Sequence, residues 1–347
     1  MNIRIESHGV KVLLDLLEDI KNGKTFSDDE ITDCFSQNDF FINYYCSWAS
    51  ITREKLLLCI RSVNKTALFS ENAVLQRLHN GFMYAANHAD ELRNKMQILD
   101  TIDFNKITKN VVSYLPLHTD LECTIHYTLD SFNGAFQYKN GIGFSLIMFK
   151  DLSKEYIIQT LSHELHHLGF KYWAEKDAIR KVLLNENSGR SIAVSYVQDL
   201  CMEGLACYYF TPVNQLSDDI KNHLPEEYLN SYNTRLKELQ NNELQFFNDS
   251  EELLKQALDD SPDLKSCKDL LWQNTIDENG IEPAGHYIGY RMAQEICNVY
   301  EKSNLINCIT DLSLFLLLYN RAVSKTPQKA FNQKIIERFS ALWQETA

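Results

Sequence analysis

Residues Ile157–Phe170 read IIQTLSHELHHLGF. Within them His163-Glu164-Leu165-His166-His167 has the form H-E-x-x-H. Tyr156, Ile157, Leu161, Leu165 and Leu168 recur at helical spacing, which predicts a helix, with Gly169 as its expected stop. On a helix His163 and His167 lie on one face, one turn apart. Two imidazoles held that way can ligate one zinc ion, and Glu164 stands beside them, placed to take a proton from a water that the zinc activates.

Catalytic zinc takes three protein donors and keeps one position open. The sequence supplies the third downstream, where Ser191–Phe210 is expected to be a helix carrying Cys201-Met202-Glu203-Gly204-Leu205-Ala206. Leu200, Met202, Leu205 and Tyr208 make this segment mostly apolar, and a carboxylate buried there without a partner would be costly. Glu203 is therefore the expected third ligand. Asp199, one turn earlier, is the alternative ligand or the partner of a histidine N–H. Gly204 and Ala206 are small enough for a close helix contact, and glycine inside a helix asks for such a reason. His166 is read as a structural or supporting histidine.

Composition sets the frame. The chain has 347 residues, 44% of them hydrophobic and 23% charged, which is globular and long enough for a large core. A formal net charge of −13, with pI near 5.3, argues against nucleic acid or an anionic membrane surface as the partner. Nine cysteines without a C-x-x-C pair predict reduced thiols rather than a disulfide framework. The N-terminus lacks the pattern of a secretory leader, and Leu312–Tyr319, the longest apolar candidate, is too short to span a membrane. A cytoplasmic location is expected.

The N-terminal third reads as helices: Val10–Ile20, Ile31–Phe35 behind a capping box at Ser27–Glu30, Arg53–Val63, and Asn72–Met96 with a possible break at Asn80-Gly81. The aromatic run Phe40, Phe41, Tyr44, Tyr45 and Trp48 is assigned to the core. The texture then changes. Cys123–Leu129 and Ala135–Tyr138 read as strands, Asn140-Gly141 as a hairpin turn, and Ile142–Phe149 as a further strand, together a small antiparallel sheet. His126, in the first strand, is a weak ligand candidate. Beyond Pro212 the chain is again helical, with breaks at Pro225, Ser261-Pro262, Glu278–Gly285 and Pro327. The expected organisation is an N-terminal helical lobe over 1–115, a core over 116–210 and a C-terminal helical lobe over 211–347. The fold class is α+β, predominantly α.

With these residues in view the chain resembles the zincin metallopeptidases of the gluzincin type, which combine two histidines from H-E-x-x-H with a downstream glutamate. Glu203-Gly204-Leu205-Ala206 is similar to the glutamate helix of one aminopeptidase family within that type. Gly141–Phe149, however, lacks the carboxylate with which that family holds a substrate amine. A closer likeness is to uncharacterised bacterial families described as putative zinc-dependent peptidases. They join H-E-x-H-H to a distant E-G helix and a late tyrosine–glycine motif, here Tyr287-Ile288-Gly289. The likeness covers about residues 120–300.

The resemblance implies a zincin-like core with the sheet beside the metal helix. It implies Zn2+ held by His163, His167 and Glu203, and Glu164 as general base. A donor for the developing oxyanion is expected at Tyr287, or second at His286, with Gly289 letting that segment approach. Arg291 would pair with a substrate carboxylate or with Glu203. The substrate would be a peptide or small protein, docked along Ile142–Phe149 as an edge strand. Two other readings are a zinc hydrolase of a non-peptide amide or ester, and a metal-free helical binding protein with a decayed site. A host-directed toxin protease finds no translocation segment in the sequence.

Overall fold

The computed structural model describes residues 1–35, 40–47, 51–65, 69, 71–131, 134–139, 141–186, 188–214, 216, 218–223, 226–259, 284–325 and 329–345. Trp48, Asn140, Pro225, Ser261-Pro262 and Pro327 lie outside them. The chain is α+β and dominated by helix. It divides into two compact units, one made of 1–108 and 122–164, the other of 109–121 and 165–347.

In chain order the first unit begins with β1 (Asn2–Glu6), α1 (His8–Lys21), α2 (Asp28–Asp33), α3 (Phe40–Tyr45), α4 (Arg53–Arg61), α5 (Ala73–Asn87) and α6 (Ala89–Leu99). Helix α7 (Phe104–Val112) is followed by β2 (Glu122–Thr128), β3 (Ala135–Tyr138) and β4 (Gly141–Ser145). The capping box at Ser27 is present, with the Ser27 hydroxyl and the Glu30 carboxylate each taking the other residue's backbone N–H. Phe40, Phe41, Tyr44 and Tyr45 are buried as core aromatics. Asn80-Gly81 does not break α5. A Cβ on Gly81 would lie 2.5 Å from the Leu129 carbonyl oxygen, so glycine is there for close packing and the helix runs on to Asn87.

The sheet differs from the antiparallel one expected. It is mixed, in the order β1-β2-β4-β3. β1 runs parallel to β2, β2 runs parallel to β4, and only β3 is antiparallel to β4. β1 had no counterpart in the sequence reading. β4 lies between β2 and β3 with all five residues buried, so it is not the edge strand on which a peptide was expected to add. Its alternate glycines allow this. Gly143 faces Phe136 across the β3 pairing, and a Cβ there would come within 1.9 Å of the Phe136 ring. The strand also ends at Ser145 rather than Phe149. The Ser145 hydroxyl accepts from the Met148 N–H, and Phe149 turns back to stack on Phe144 at 4.4 Å.

Helix α8 (Lys154–Ala174) passes from one unit into the other. Ser153 caps its start, its hydroxyl accepting from the Tyr156 N–H. Gly169 does not stop it. The Leu115 side chain fills the place of the missing Cβ, which would sit 2.2 Å from Leu115 Cδ1.

The second unit continues with α9 (Ala178–Asn185), α10 (Gly189–Tyr209), α11 (Asp218–His223), α12 (Glu226–Asn241), α13 (Glu243–Leu258), α14 (Ala284–Val299), α15 (Lys302–Thr310), α16 (Ser313–Ala322) and α17 (Gln333–Glu345). α10 is its central helix. Ala193, Val194, Val197, Leu200, Cys201 and Leu205 are fully buried, and the Tyr196 hydroxyl shares a 2.7 Å hydrogen bond with Ser250 of α13. Its most extensive contact is with α14. There Gly204 meets Gly289 backbone to backbone: a Cβ on Gly204 would lie 2.3 Å from the Gly289 carbonyl oxygen, and one on Gly289 would lie 2.2 Å from that of Leu200. Gly204→Ala is expected to destabilise the protein by about 1–3 kcal/mol, because neither backbone can yield as a flexible side chain would. Urea unfolding measures this, and an unchanged midpoint would show that the two helices separate without cost.

Candidate metal centre

Along α8 the ring nitrogens of His163 and His167 and a carboxylate oxygen of Glu164 lie within 4.8 Å of one another. This is the convergence expected of residues one turn apart on one helix, with Glu164 beside the first. His167 is buried. Its Nε2 is 3.0 Å from Glu203 Oε2, which α10 brings to it. The same oxygen is 3.4 Å from His286 Nε2 in the first turn of α14. Two zinc ligands at about 2.0–2.1 Å in tetrahedral arrangement are roughly 3.3 Å apart. The His167–Glu203 separation fits donors that share one ion. The donor chemistry fits as well, since neutral imidazole nitrogen and carboxylate oxygen are what zinc takes. The same helix face of α10 carries Cys207 one turn after Glu203, and its thiol and a Glu203 carboxylate oxygen lie within 4.8 Å.

Helix geometry explains the crossing. Glu203 immediately precedes Gly204, and His286 stands one turn before Gly289. The glycine contact therefore sets the distance between carboxylate and imidazole. Asp199, the alternative ligand, belongs to no donor group among the described residues. His166 is fully buried and its Nε2 is 3.2 Å from the Tyr114 carbonyl oxygen, with Tyr209 and Phe210 against its ring. It holds α8 to the 109–121 segment, as do Leu115 at Gly169 and the Trp173 N–H donating to Thr119 Oγ1 at 2.7 Å. In the first unit His126 stacks on Phe40 at 3.7 Å, with Nδ1 3.6 Å from Glu6 Oε2. It too enters no donor group among the described residues.

Tyr287 follows His286 directly, so α14 turns it about 100° away. Its hydroxyl donates to Glu243 Oε2 at 3.4 Å and its side chain is 2% exposed. Burial first, then the Glu243 carboxylate, pushes its phenol up to about 12, so it stays a neutral donor at physiological pH. Arg291 likewise turns to Glu243, donating from Nε at 3.2 Å, and to Glu295. Lys329 Nζ reaches Glu243 Oε1 at 3.0 Å. Glu243 thus gathers Tyr287 and Arg291, one turn apart on α14, with Lys329 from a remote segment. Cys207 was unanticipated, although its one-turn spacing from Glu203 was readable.

A helix-dominated protein with a small mixed sheet, carrying a cluster of imidazole and carboxylate groups that could hold a metal ion, is the class that these observations define. The chain belongs to the family described as "Putative zinc dependent peptidase (DUF5700)", whose model matches residues 26–328. No curated protein and no solved structure matches it. Among the described residues no helix is long and apolar enough to cross a membrane. The eight cysteines among them form no disulfide.

The Glu243 cluster makes stability depend on acid. Burial raises the Glu243 carboxyl, but the Lys329 ammonium and Arg291 guanidinium together outweigh it and hold the group below its ordinary 4.5. A lowered folded-state pKa contributes stability that is present above the unfolded value and lost as pH falls through the folded one. Glu243→Gln is therefore expected to cost roughly 1.5–3 kcal/mol at neutral pH. The gap to the parent protein should close as pH drops below 4.5. Denaturation across that range reads it, and a gap independent of pH would remove the ion pairs as its cause.

Proposed function

We propose that this protein is a zinc-dependent metallopeptidase of the gluzincin type, with a zincin-like core. Its ligands are His163 and His167 of α8 and Glu203 of α10. The observation that carries the reading is the 3.0 Å approach of Glu203 Oε2 to His167 Nε2, between two helices whose donor residues are far apart in sequence. Membership of a family described as zinc dependent agrees with it.

When bound, zinc supplies Lewis acidity that brings the pKa of water to about 7 and polarises a carbonyl. The chain's own groups do the rest. The Glu164 carboxylate, within 4.8 Å of both ligand imidazoles, takes the proton of the attacking water. It returns that proton to the amine nitrogen as the C–N bond breaks, which leaves a carboxylic acid and a free amine. His286, partly exposed and 3.4 Å from Glu203 Oε2, is the donor for the developing oxyanion. This role goes to His286 rather than Tyr287 because Tyr287 is 2% exposed with its hydroxyl on Glu243, whereas the His286 side chain is 24% exposed. The substrate is a peptide or small protein.

Glu164→Gln is expected to retain zinc and to lose hydrolysis by about 10²–10⁴-fold, as loss of a general base does. Metal analysis and a peptide-library digest of the same preparation test both halves, and an active variant would take the base role from Glu164. Glu203→Ala should empty the metal site in the same analysis. Full zinc occupancy in that variant would overturn the ligand set.

A further inference from the structure

We propose that the Cys207 thiol is a fourth protein donor to the metal held by His163, His167 and Glu203, an inference that rests on the zinc reading above. Cys207 lies one turn beyond Glu203, so both side chains leave α10 on one face. Its sulfur is within 4.8 Å of a Glu203 carboxylate oxygen. That carboxylate already meets His167 at 3.0 Å and His286 at 3.4 Å. A sulfur at about 2.3 Å and an oxygen at about 2.1 Å from one tetrahedral ion stand roughly 3.6 Å apart. About an ångström of side-chain adjustment closes any difference.

The surroundings suit a metal-bound sulfur. Cys207 is 1% exposed and belongs to a core cluster with Val213, Leu239, Ala284, Tyr287 and Tyr290. One side of the thiol is therefore apolar and dry, and the other faces the imidazole and carboxylate donors. On ligation the S–H bond breaks, the sulfur–metal bond forms and the proton leaves to solvent. Thiolate is a soft donor, which favours zinc over manganese or magnesium at a site that would otherwise offer only nitrogen and oxygen. A fourth protein donor also closes the shell, as in structural zinc sites. Cys207 would thus retain the metal in the resting protein; when water takes its place, the sulfur–metal bond breaks and the thiolate takes a proton back from solvent.

Cobalt reports the sulfur directly. The full chain, stripped of metal and loaded with Co2+, is expected to show a thiolate-to-cobalt charge-transfer absorption in the near ultraviolet. Cys207→Ala and Cys207→Ser should abolish that band while still taking up one Co2+ through the other ligands. Their zinc affinity, measured against a chromophoric chelator, should fall by at least about tenfold, the smallest loss seen when even an outer partner of a metal site is removed. A cobalt complex of the parent chain without the band, or a band that survives in Cys207→Ala, overturns this proposal and leaves the three-ligand site standing. A parent chain that binds neither cobalt nor zinc stoichiometrically overturns both.

Discussion

The second unit depends on one contact, where α10 and α14 touch through Gly204 and Gly289 with no side chain between them. Backbone-to-backbone packing of this kind cannot slide or rotate without a clash, because the nearest atoms are carbonyls and not the ends of flexible chains. It therefore fixes the register of the two helices along their axes. Glu203 and His286 are the residues that benefit, since each sits within a turn of its glycine. A helix interior tolerates glycine only at a cost of about 1 kcal/mol relative to alanine, and here the close approach offsets it.

Polar groups around this crossing are shared out by helix geometry. α14 turns His286 toward Glu203, and turns Tyr287 and Arg291 toward Glu243. One carboxylate thus meets the imidazoles of His167 and His286 and lies within 4.8 Å of the Cys207 thiol. The other is neutralised by a guanidinium and an ammonium and serves to hold α13, α14 and Lys329 together. Both carboxylates are largely buried, and each has partners of the kind that burial demands. α8 shows a similar division. His167 meets Glu203, while His166, Gly169 and Trp173 bind the 109–121 segment along another face.

Much of this is legible in the sequence. The period of Ile157–Phe170 identified a helix and placed two imidazoles on one side of it. The apolar run around Glu203 marked a carboxylate that could not stand alone. The capping box at Ser27 and the aromatic core at Phe40–Tyr45 were equally readable, because they depend on neighbours a few residues away. The errors have a common origin. Gly81 and Gly169 look like breaks in sequence, yet each is a notch for a distant group, the Leu129 carbonyl and the Leu115 side chain. The sheet was read as antiparallel because its strands follow one another closely. β4 instead inserts between β2 and β3, and β1 joins from the far N-terminus.

By itself the sequence determined which residue types sit one turn apart, and so the H-E-x-x-H face of α8, the Glu203–Cys207 face of α10 and the separation of His286 from Tyr287. These follow from 3.6 residues per turn and need no knowledge of what lies opposite. Tertiary structure alone decided which of those faces meet. The pairing of Glu203 with His167 and His286, the claim of Glu243 on Tyr287 and Arg291, and the interior place of β4 depend on packing between segments remote in the chain. No local period encodes such contacts.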